Sequence, residues 1–261
     1  MTEQHRSSRS AWYRRMGDLV AGKYLHAVRL PSLTGQGSGR LFYTLGPAAR
    51  SEVAKQLGLD PSELYLPSTI RSPYMGAHFL AIGDTHVDLL LATQAAHGAI
   101  QLTEWVSERQ LRAKRANREI HPELPIADAE FVLSLAGGSA QGFRLEIDLT
   151  GSTSPRRFKQ KLADYLRLWA IDDRPVLWVA PSELRARVIA AWCLEAARDQ
   201  PGTTPTMFWI TTRAAINERT ILQPIWQEVD GICLSLLPLA TDTTAPVEPL
   251  SRAIQLSRGL P

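Results

Sequence analysis

Three acidic residues belong to two neighbouring segments that both have the pattern of a strand. Asp128 comes at the start of the first segment, and Glu146 and Asp148 are two residues apart near the end of the second. Residues two apart on a strand project from the same face. Because a short turn joins the segments into a predicted hairpin, we expect Asp128 to lie close to Glu146.

This arrangement of acids suggests metal chemistry. Clustered carboxylates suit Mg²⁺ or Mn²⁺, which take hard oxygen ligands and can activate water or stabilise charge on a phosphate. Lys161 lies on the next predicted helix, on the flank of an apolar stripe, where it can point back at the acids. The predicted metal ligands are Asp128, Glu146 and Asp148, and the same three with Lys161 are the predicted catalytic residues. The alternative is that the acids are exposed strand-end residues with Lys161 as a salt-bridge partner.

Basic residues are concentrated at the beginning of the chain. The net charge is +3, but the first 50 residues hold eight basic and two acidic side chains, which gives +6, and the remainder sums to −3. A basic segment on a mildly acidic body indicates an anionic partner. The predicted DNA contacts are Arg9, Arg14, Arg15, Lys23, Arg29 and Arg40. The alternative is an ordinary solvated basic surface.

The elements around these basic residues predict part of a winged helix. A helix from Ser8 or Ser10 to Ala21 precedes two strands, residues 23–30 and 40–45, and Gly46-Pro47 opens another helix. In a winged helix the first of these helices reads the major groove and the hairpin is the wing, with the glycine-rich segment GQGSG as its tip. Trp12 is predicted to be a core residue. Only about seven residues precede Ser8, so we expect a domain that is truncated at its start or leans on a partner.

A second domain follows a connector punctuated by Pro and Ser. Its pattern reads helix, three strands, helix, strand, helix, strand, which predicts an α/β (α+β) core with mixed strand directions. The basic stretch RQLRAKRANR is predicted as a loop or helix end. The predicted domains are residues 1–60 and 73–240, and residues 241–261 are expected to form a mobile tail.

Several classes of protein are excluded by composition. Cys193 and Cys233 are far apart and no CxxC occurs, which excludes a disulfide scaffold or a zinc ribbon and fits a reducing cytosol. No secretory signal and no apolar run of about 18 residues or more is present. We therefore expect a cytoplasmic protein that has no membrane partner.

The second domain is similar to the PD-(D/E)xK nuclease core in its order of acid, hairpin, paired acids and helix. The chain departs from that pattern at Asp148, where a lysine is usual, and Lys161 from the next helix is the candidate replacement. This resemblance implies a restriction-endonuclease-like mixed-sheet domain.

The whole chain resembles the replication-relaxation family of bacterial plasmids and other mobile elements. The matching segments appear in family order from Ser8 to Leu239 and include RRMGDLVAGKYLHAVRL, SPYMGAHFLAIGDTHVDLLLATQAAHG, LTEWVSERQLR, IADAEFVLSL, FRLEIDLTGSTSPRRFKQKLADYLRLW, PVLWVAPSELRARVI and PIWQEV. The resemblance implies a winged-helix DNA-binding domain joined to an α/β domain, with a role in plasmid replication, DNA relaxation or mobilisation.

Three functions follow from these observations. The first is a DNA-binding accessory protein of a mobile element, whose partners are double-stranded DNA and other replication or mobilisation proteins, with homo-oligomers also expected. The second is a nickase or nuclease that uses Mg²⁺ or Mn²⁺ at the acidic cluster; outside this hypothesis no cofactor is indicated. The third is a protein-interaction module that does not bind DNA, for which DNA affinity should be negligible at moderate salt.

Overall fold

A computed structural model describes most of the chain. The described residues are 3–29, 41–58, 60–61, 73–121, 123, 125–149, 154–169, 171–200, 205–229 and 231–236. The predicted wing tip, the predicted tail and most of the predicted connector lie outside these residues. Contacts divide the chain into two units, Met1–Leu80 and Ala81–Pro261, and each unit is described by itself.

The first unit consists of a helix, a hairpin and a short helix, followed by the start of a longer one. The elements are α1 (Glu3–Ala21), β1 (Leu25–Arg29), β2 (Leu41–Leu45), α2 (Arg50–Leu57) and α3 (Pro73–Ala95), which continues into the second unit. β1 and β2 are antiparallel, with Leu25 opposite Leu45 and Arg29 opposite Leu41. Gly58, in the left-handed conformation, ends α2.

The junction between α1 and the hairpin requires a glycine. Gly46 donates a backbone hydrogen bond to the Tyr24 carbonyl at 2.7 Å. A Cβ atom at this position would lie 2.2 Å from the carbonyl oxygen of Lys23, well inside contact distance. The backbones of residues 23–24 and 46 therefore approach each other more closely than any side chain at position 46 would allow.

Two predictions about α1 are wrong. The helix begins at Glu3, so Ser8 and Ser10 lie inside it and neither can cap it. Trp12, predicted to be core, is 48% exposed, and Leu19 is 40% exposed. Trp12 makes edge contacts with the rings of Tyr13 and of Tyr43 from β2, and it stays half exposed because a two-stranded hairpin offers too little surface to cover an entire helical stripe.

The second unit is built on a seven-stranded mixed sheet. Its strands are β3 (Ile100–Ser107), β4 (Ala129–Leu135), β5 (Ala140–Ile147), β6 (Val176–Ala180), β7 (Phe208–Thr212), β8 (Trp226–Glu228) and β9 (Cys233–Leu234), and they lie in the sheet in that same order. β5, β6 and β7 are parallel, while all other neighbouring strands are antiparallel. The predicted mixture of strand directions is confirmed.

Helices cover both faces of this sheet. Residues of α3 from Ala81 onward pack against one face through Leu89 and Ala92. α5 (Pro155–Leu168) and α6 (Glu183–Arg198) pack against the other face and enclose alternate residues of β6 and β7. With both of its faces covered, β6 is buried at all five positions, which explains its uninterrupted apolar sequence VLWVA.

One helix and one strand of this unit were not predicted. The basic stretch after β3 is the helix α4 (Glu108–Ala116), whose start is fixed by reciprocal hydrogen bonds between Ser107 and Gln110. β8 has only three residues, too few for an alternating pattern. Trp226 at its start is fully buried and packs in the core on the α3 side of the sheet. None of the described helices combines the length and hydropathy needed to span a bilayer.

Candidate functional site

Charged side chains line the core along β5. Arg144, Glu146 and Asp148 alternate with apolar residues, so all three project toward the α5 and α6 side of the sheet. They are 1%, 3% and 6% exposed, although charged residues are rarely this buried unless they are paired. Each of them has partners on neighbouring elements.

Glu146 is held by two side chains of α5. The Lys161 ammonium donates to its carboxylate at 2.6 Å, and the Tyr165 hydroxyl donates to its Oε1 atom at 2.5 Å. Lys161 and Tyr165 are four residues apart, so they lie one turn from each other on the face of α5 that meets the sheet. The predicted approach of Lys161 to the acids is thus present, and Tyr165 is an additional partner.

The pKa of Glu146 is raised to about 7, chiefly by burial; the charge of Asp128 contributes to the rise, while Lys161 and Tyr165 act against it. Burial acts to lower the pKa of Lys161, but the charges of Glu146 and Asp128 outweigh it and raise that pKa. Burial raises the pKa of Tyr165 well above its usual value, and the negative charge of Glu146 is the second cause of the rise. Glu146 and Tyr165 are buried and Lys161 is partly exposed, so the three residues form an acid–base group that extends from the core to its edge.

Asp128 lies beside the same part of β5. Its Oδ2 atom accepts the backbone N–H of Ile147 at 2.7 Å, and its own N–H donates to the Leu145 carbonyl at 3.0 Å. Asp128 and Glu146 are therefore brought together, as expected from the hairpin.

Asp148 is occupied by an arginine of α6. The Nε atom of Arg185 donates to its Oδ2 atom at 2.5 Å, and the guanidinium lies over the rings of Trp192 at 4.8 Å and Phe158 at 5.5 Å. This pair is separate from the Glu146 group, because Asp148 uses α6 and Glu146 uses α5.

Two of the predicted metal ligands, Glu146 and Asp148, are paired with basic side chains. Among the described residues, no group of three or more His, Cys, Asp or Glu side chains is placed to hold a metal ion. Lys161 occupies the carboxylate of Glu146 and Arg185 that of Asp148, so a cation would have to displace both. We derive no metal-dependent step from this geometry.

A second charged cluster lies around Arg144, near the middle of β5 and two residues before Glu146. Arg144 pairs with Glu130 at 3.3 Å and with Asp172, while Arg174 contacts the same two acids at 2.6 and 2.9 Å. Burial acts to raise the pKa of Asp172, but the two arginines lower it below its usual value. The Arg144 guanidinium also lies 5.8 Å from the centre of the Tyr165 ring, which links this cluster to Glu146.

The sequence analysis missed Arg144, Tyr165 and Arg185. Arg144 continues the same alternation as Glu146 and Asp148, so strand periodicity could have found it. Tyr165 was assigned only to the apolar stripe, although it lies one turn from Lys161. Arg185 follows the capping residue Ser182 by three positions, but nothing local indicates that it reaches Asp148.

The predicted DNA-contacting side chains are exposed where the structure describes them. Arg14 and Arg15 lie on α1, Arg29 ends β1, and Lys23 lies between these elements; all four are exposed. The side chain of Arg9 and the whole of Arg40 lie outside the described residues.

The fold and the site together define a mixed α/β protein that has a partly buried acid–base group and a basic helix–hairpin unit. The model of the replication-relaxation family matches residues 1–175, which is 175 of the 261 residues. The chain belongs to the replication-relaxation family, which suggests a role associated with plasmid replication. The matched region includes the Glu146 group and ends before β6. No curated protein and no solved structure matches the chain.

Proposed function

We propose that this protein is a DNA-binding accessory protein of a plasmid or other mobile element, acting in replication, DNA relaxation or mobilisation. The observation that carries the proposal is the exposed basic surface of α1 and the hairpin. Residues 10–29 and 41–58 contain six basic and two acidic side chains. Such a surface suits the phosphate backbone of duplex DNA, where most protein contacts to DNA are made.

The proposed domain organisation follows the predicted boundaries. Residues 1–60 form a partial winged helix, in which α1 enters the major groove and the hairpin is the wing. Residues 73–240 form a restriction-endonuclease-like domain. The order of α3, the antiparallel strands β3–β5, α5 and the parallel strand β6 supports the nuclease-like interpretation. In this proposal the second domain binds DNA or proteins without cutting DNA. Its carboxylates Glu146 and Asp148 are already paired with the side chains of Lys161 and Arg185.

Charge reversal at α1 tests the proposal. The double variant Arg14→Glu/Arg15→Glu of the full chain should lose affinity for duplex DNA by roughly tenfold or more at moderate salt, similarly for unrelated sequences. Its affinity should also depend less steeply on salt than that of the wild type, because fewer counterions are released. Fluorescence anisotropy with labelled duplexes over a salt series measures both quantities.

A matched control is the double variant Arg187→Glu/Arg219→Glu, which makes the same charge change at exposed positions of the second unit. Equal losses in the two double variants would mean that only total charge matters, and would contradict a specific role of α1. Negligible affinity of the wild type would favour the protein-interaction module instead.

A metal-dependent nuclease is the second candidate, favoured by the contact between Lys161 and Glu146 beside Asp128. Supercoiled plasmid mixed with the protein should migrate more slowly but remain topologically unchanged, with Mn²⁺ and with EDTA alike. Agarose electrophoresis, with the plasmid also analysed after removal of the protein, measures this. Open-circle or linear product that appears only with Mn²⁺, and disappears in Glu146→Ala, would replace the first proposal by the second.

A further inference from the structure

A basic pocket lies between α4 and α5, on the outer side of Lys161. Its volume is about 380 Å³, and its charged lining consists of Arg112, Arg115, Arg157, Lys161 and Asp164. Four cationic groups thus face one carboxylate. All of these residues belong to the second unit, so the pocket is independent of the basic surface on α1.

The few acids near this pocket are already engaged. Asp164 accepts hydrogen bonds from Gln160 at 3.0 Å and from Arg167 at 3.1 Å. Glu108 pairs with Arg112 through hydrogen bonds of 2.5 and 3.0 Å. Lys161 is the only cation of the lining that reaches a buried acid, Glu146, among the described residues. The pocket therefore keeps an excess of positive charge.

Arg115 provides the second, independent observation. Its Nε and Nη2 atoms are buried and have no hydrogen-bond partner among the described residues. A buried donor that is left without an acceptor destabilises the fold, and a charged donor does so more strongly. On the opposite wall, the exposed Arg157 makes no side-chain hydrogen bond or ion pair with any described residue. The Arg157 guanidinium is therefore available to donate to an anion in the pocket, next to the positive charge of Arg115.

We propose that this pocket binds a phosphate group. A phosphate offers several oxygen acceptors and matches the planar fork of guanidinium donors, which bind such groups in pairs of parallel hydrogen bonds. The pocket is larger than a single phosphate, so it has room for the remainder of the ligand. That ligand is either a small phosphorylated molecule or a phosphodiester of nucleic acid. The second source rests on the proposed function, whereas the first does not.

Binding of pyrophosphate to the full-length protein tests the inference by isothermal titration calorimetry. The variants Arg115→Gln and Arg157→Gln should each weaken binding about fivefold or more, because each removes charge-assisted hydrogen bonds. Arg187→Gln makes the same charge change on exposed α6 and should change binding less than about twofold. Circular dichroism melting checks that each variant is folded. If Arg115→Gln fails to fold, the variant Arg157→Gln, at an exposed position, still tests whether the pocket binds pyrophosphate.

A second arm measures the affinity of the same variants for a short duplex by anisotropy. Parallel losses for pyrophosphate and duplex identify a nucleic-acid phosphate as the ligand. A loss for pyrophosphate alone identifies a small phosphorylated molecule. The inference is overturned if pyrophosphate does not bind and duplex affinity is unchanged in both variants, or if Arg187→Gln loses as much as they do. The Arg14→Glu/Arg15→Glu variant should bind pyrophosphate as the wild type does. Failure of the proposed DNA-binding function can therefore be told apart from failure of the phosphate pocket.

Discussion

Glu146 is the residue whose chemistry departs most from that of an ordinary surface carboxyl. Its pKa is about 7 in the folded protein, against an ordinary value of 4.5, and burial is the main cause. The folded state therefore holds a proton that the unfolded state releases between these two pH values. A group whose pKa is raised in this way makes the protein less stable as pH rises from about 4.5 to about 7.

Replacing this carboxyl by a neutral amide should remove that pH dependence. Glu146→Gln keeps the shape of the side chain and an acceptor for the Tyr165 hydroxyl, while Lys161 is partly exposed and can keep its charge in water. We expect the melting temperature of the wild type to fall relative to that of Glu146→Gln between about pH 4.5 and about pH 7. Thermal denaturation across this range measures the difference. The exposed Glu119→Gln variant should follow the wild type, and a constant difference between wild type and Glu146→Gln would contradict the raised pKa.

Only some of the side-chain contacts in the site could be predicted from local patterns in the sequence. Strand alternation and helix spacing were sufficient to place Asp128, Glu146 and Lys161 near one another, because those contacts join elements close in sequence. Arg185 is 37 residues from Asp148 and reaches it only because α6 packs beside α5. Pairings of that kind depend on which helix covers which strand, and no local pattern carries this information.

The junction of α1 with the hairpin shows how one element depends on one residue type. Gly46→Ala would place a Cβ atom against the backbone oxygen of Lys23, which cannot move away as a flexible side chain could. We expect a loss of about 1–3 kcal/mol in the free energy of unfolding of the first unit, together with weaker DNA binding, because the hairpin must shift from α1. Chemical denaturation followed by circular dichroism, combined with the anisotropy assay, measures both.

Gly17→Ala provides the matched control within the same unit. Gly17 lies inside α1 and an added Cβ would meet nothing within 4 Å. Alanine is a better helix former than glycine by about 0.5–1 kcal/mol, so this variant should be neutral or more stable. If Gly46→Ala behaved in the same way as Gly17→Ala, the close backbone approach would not constrain the hairpin.

Element prediction succeeded where elements are long and periodic. α3, β3–β5, α5 and β6 were predicted in the order in which they occur, because their apolar patterns extend over one or more turns or strand repeats. α4 was missed because only Leu111 among its nine residues is buried, so its sequence lacks an apolar stripe. The start of α1 was misplaced because serines inside a helix have the same sequence signature as capping serines.

At the scale of the whole molecule, the mixture of strand directions could be predicted from the sequence. Which helices cover which face of the sheet could not. Short turns between β4 and β5 require antiparallel neighbours, and the helices α5 and α6 allow parallel crossovers. The sequence did not reveal that α3 covers the face opposite to α5 and α6, because apolar stripes do not identify the surface that they meet. The same limitation explains why the exposure of Trp12 was not foreseen.

The order of strands in the sheet has a consequence for biosynthesis. From β3 to β9 every strand lies next to its predecessor in the chain, so no strand has to be inserted between two that are already paired. The polypeptide leaves the ribosome from its N-terminus, so each newly synthesised strand can pair with the exposed edge strand of the sheet formed so far. That strand then becomes the next exposed edge. β5, which carries Glu146 and leads directly into Asp148, can thus pair with β4 before the strands β7–β9 are synthesised.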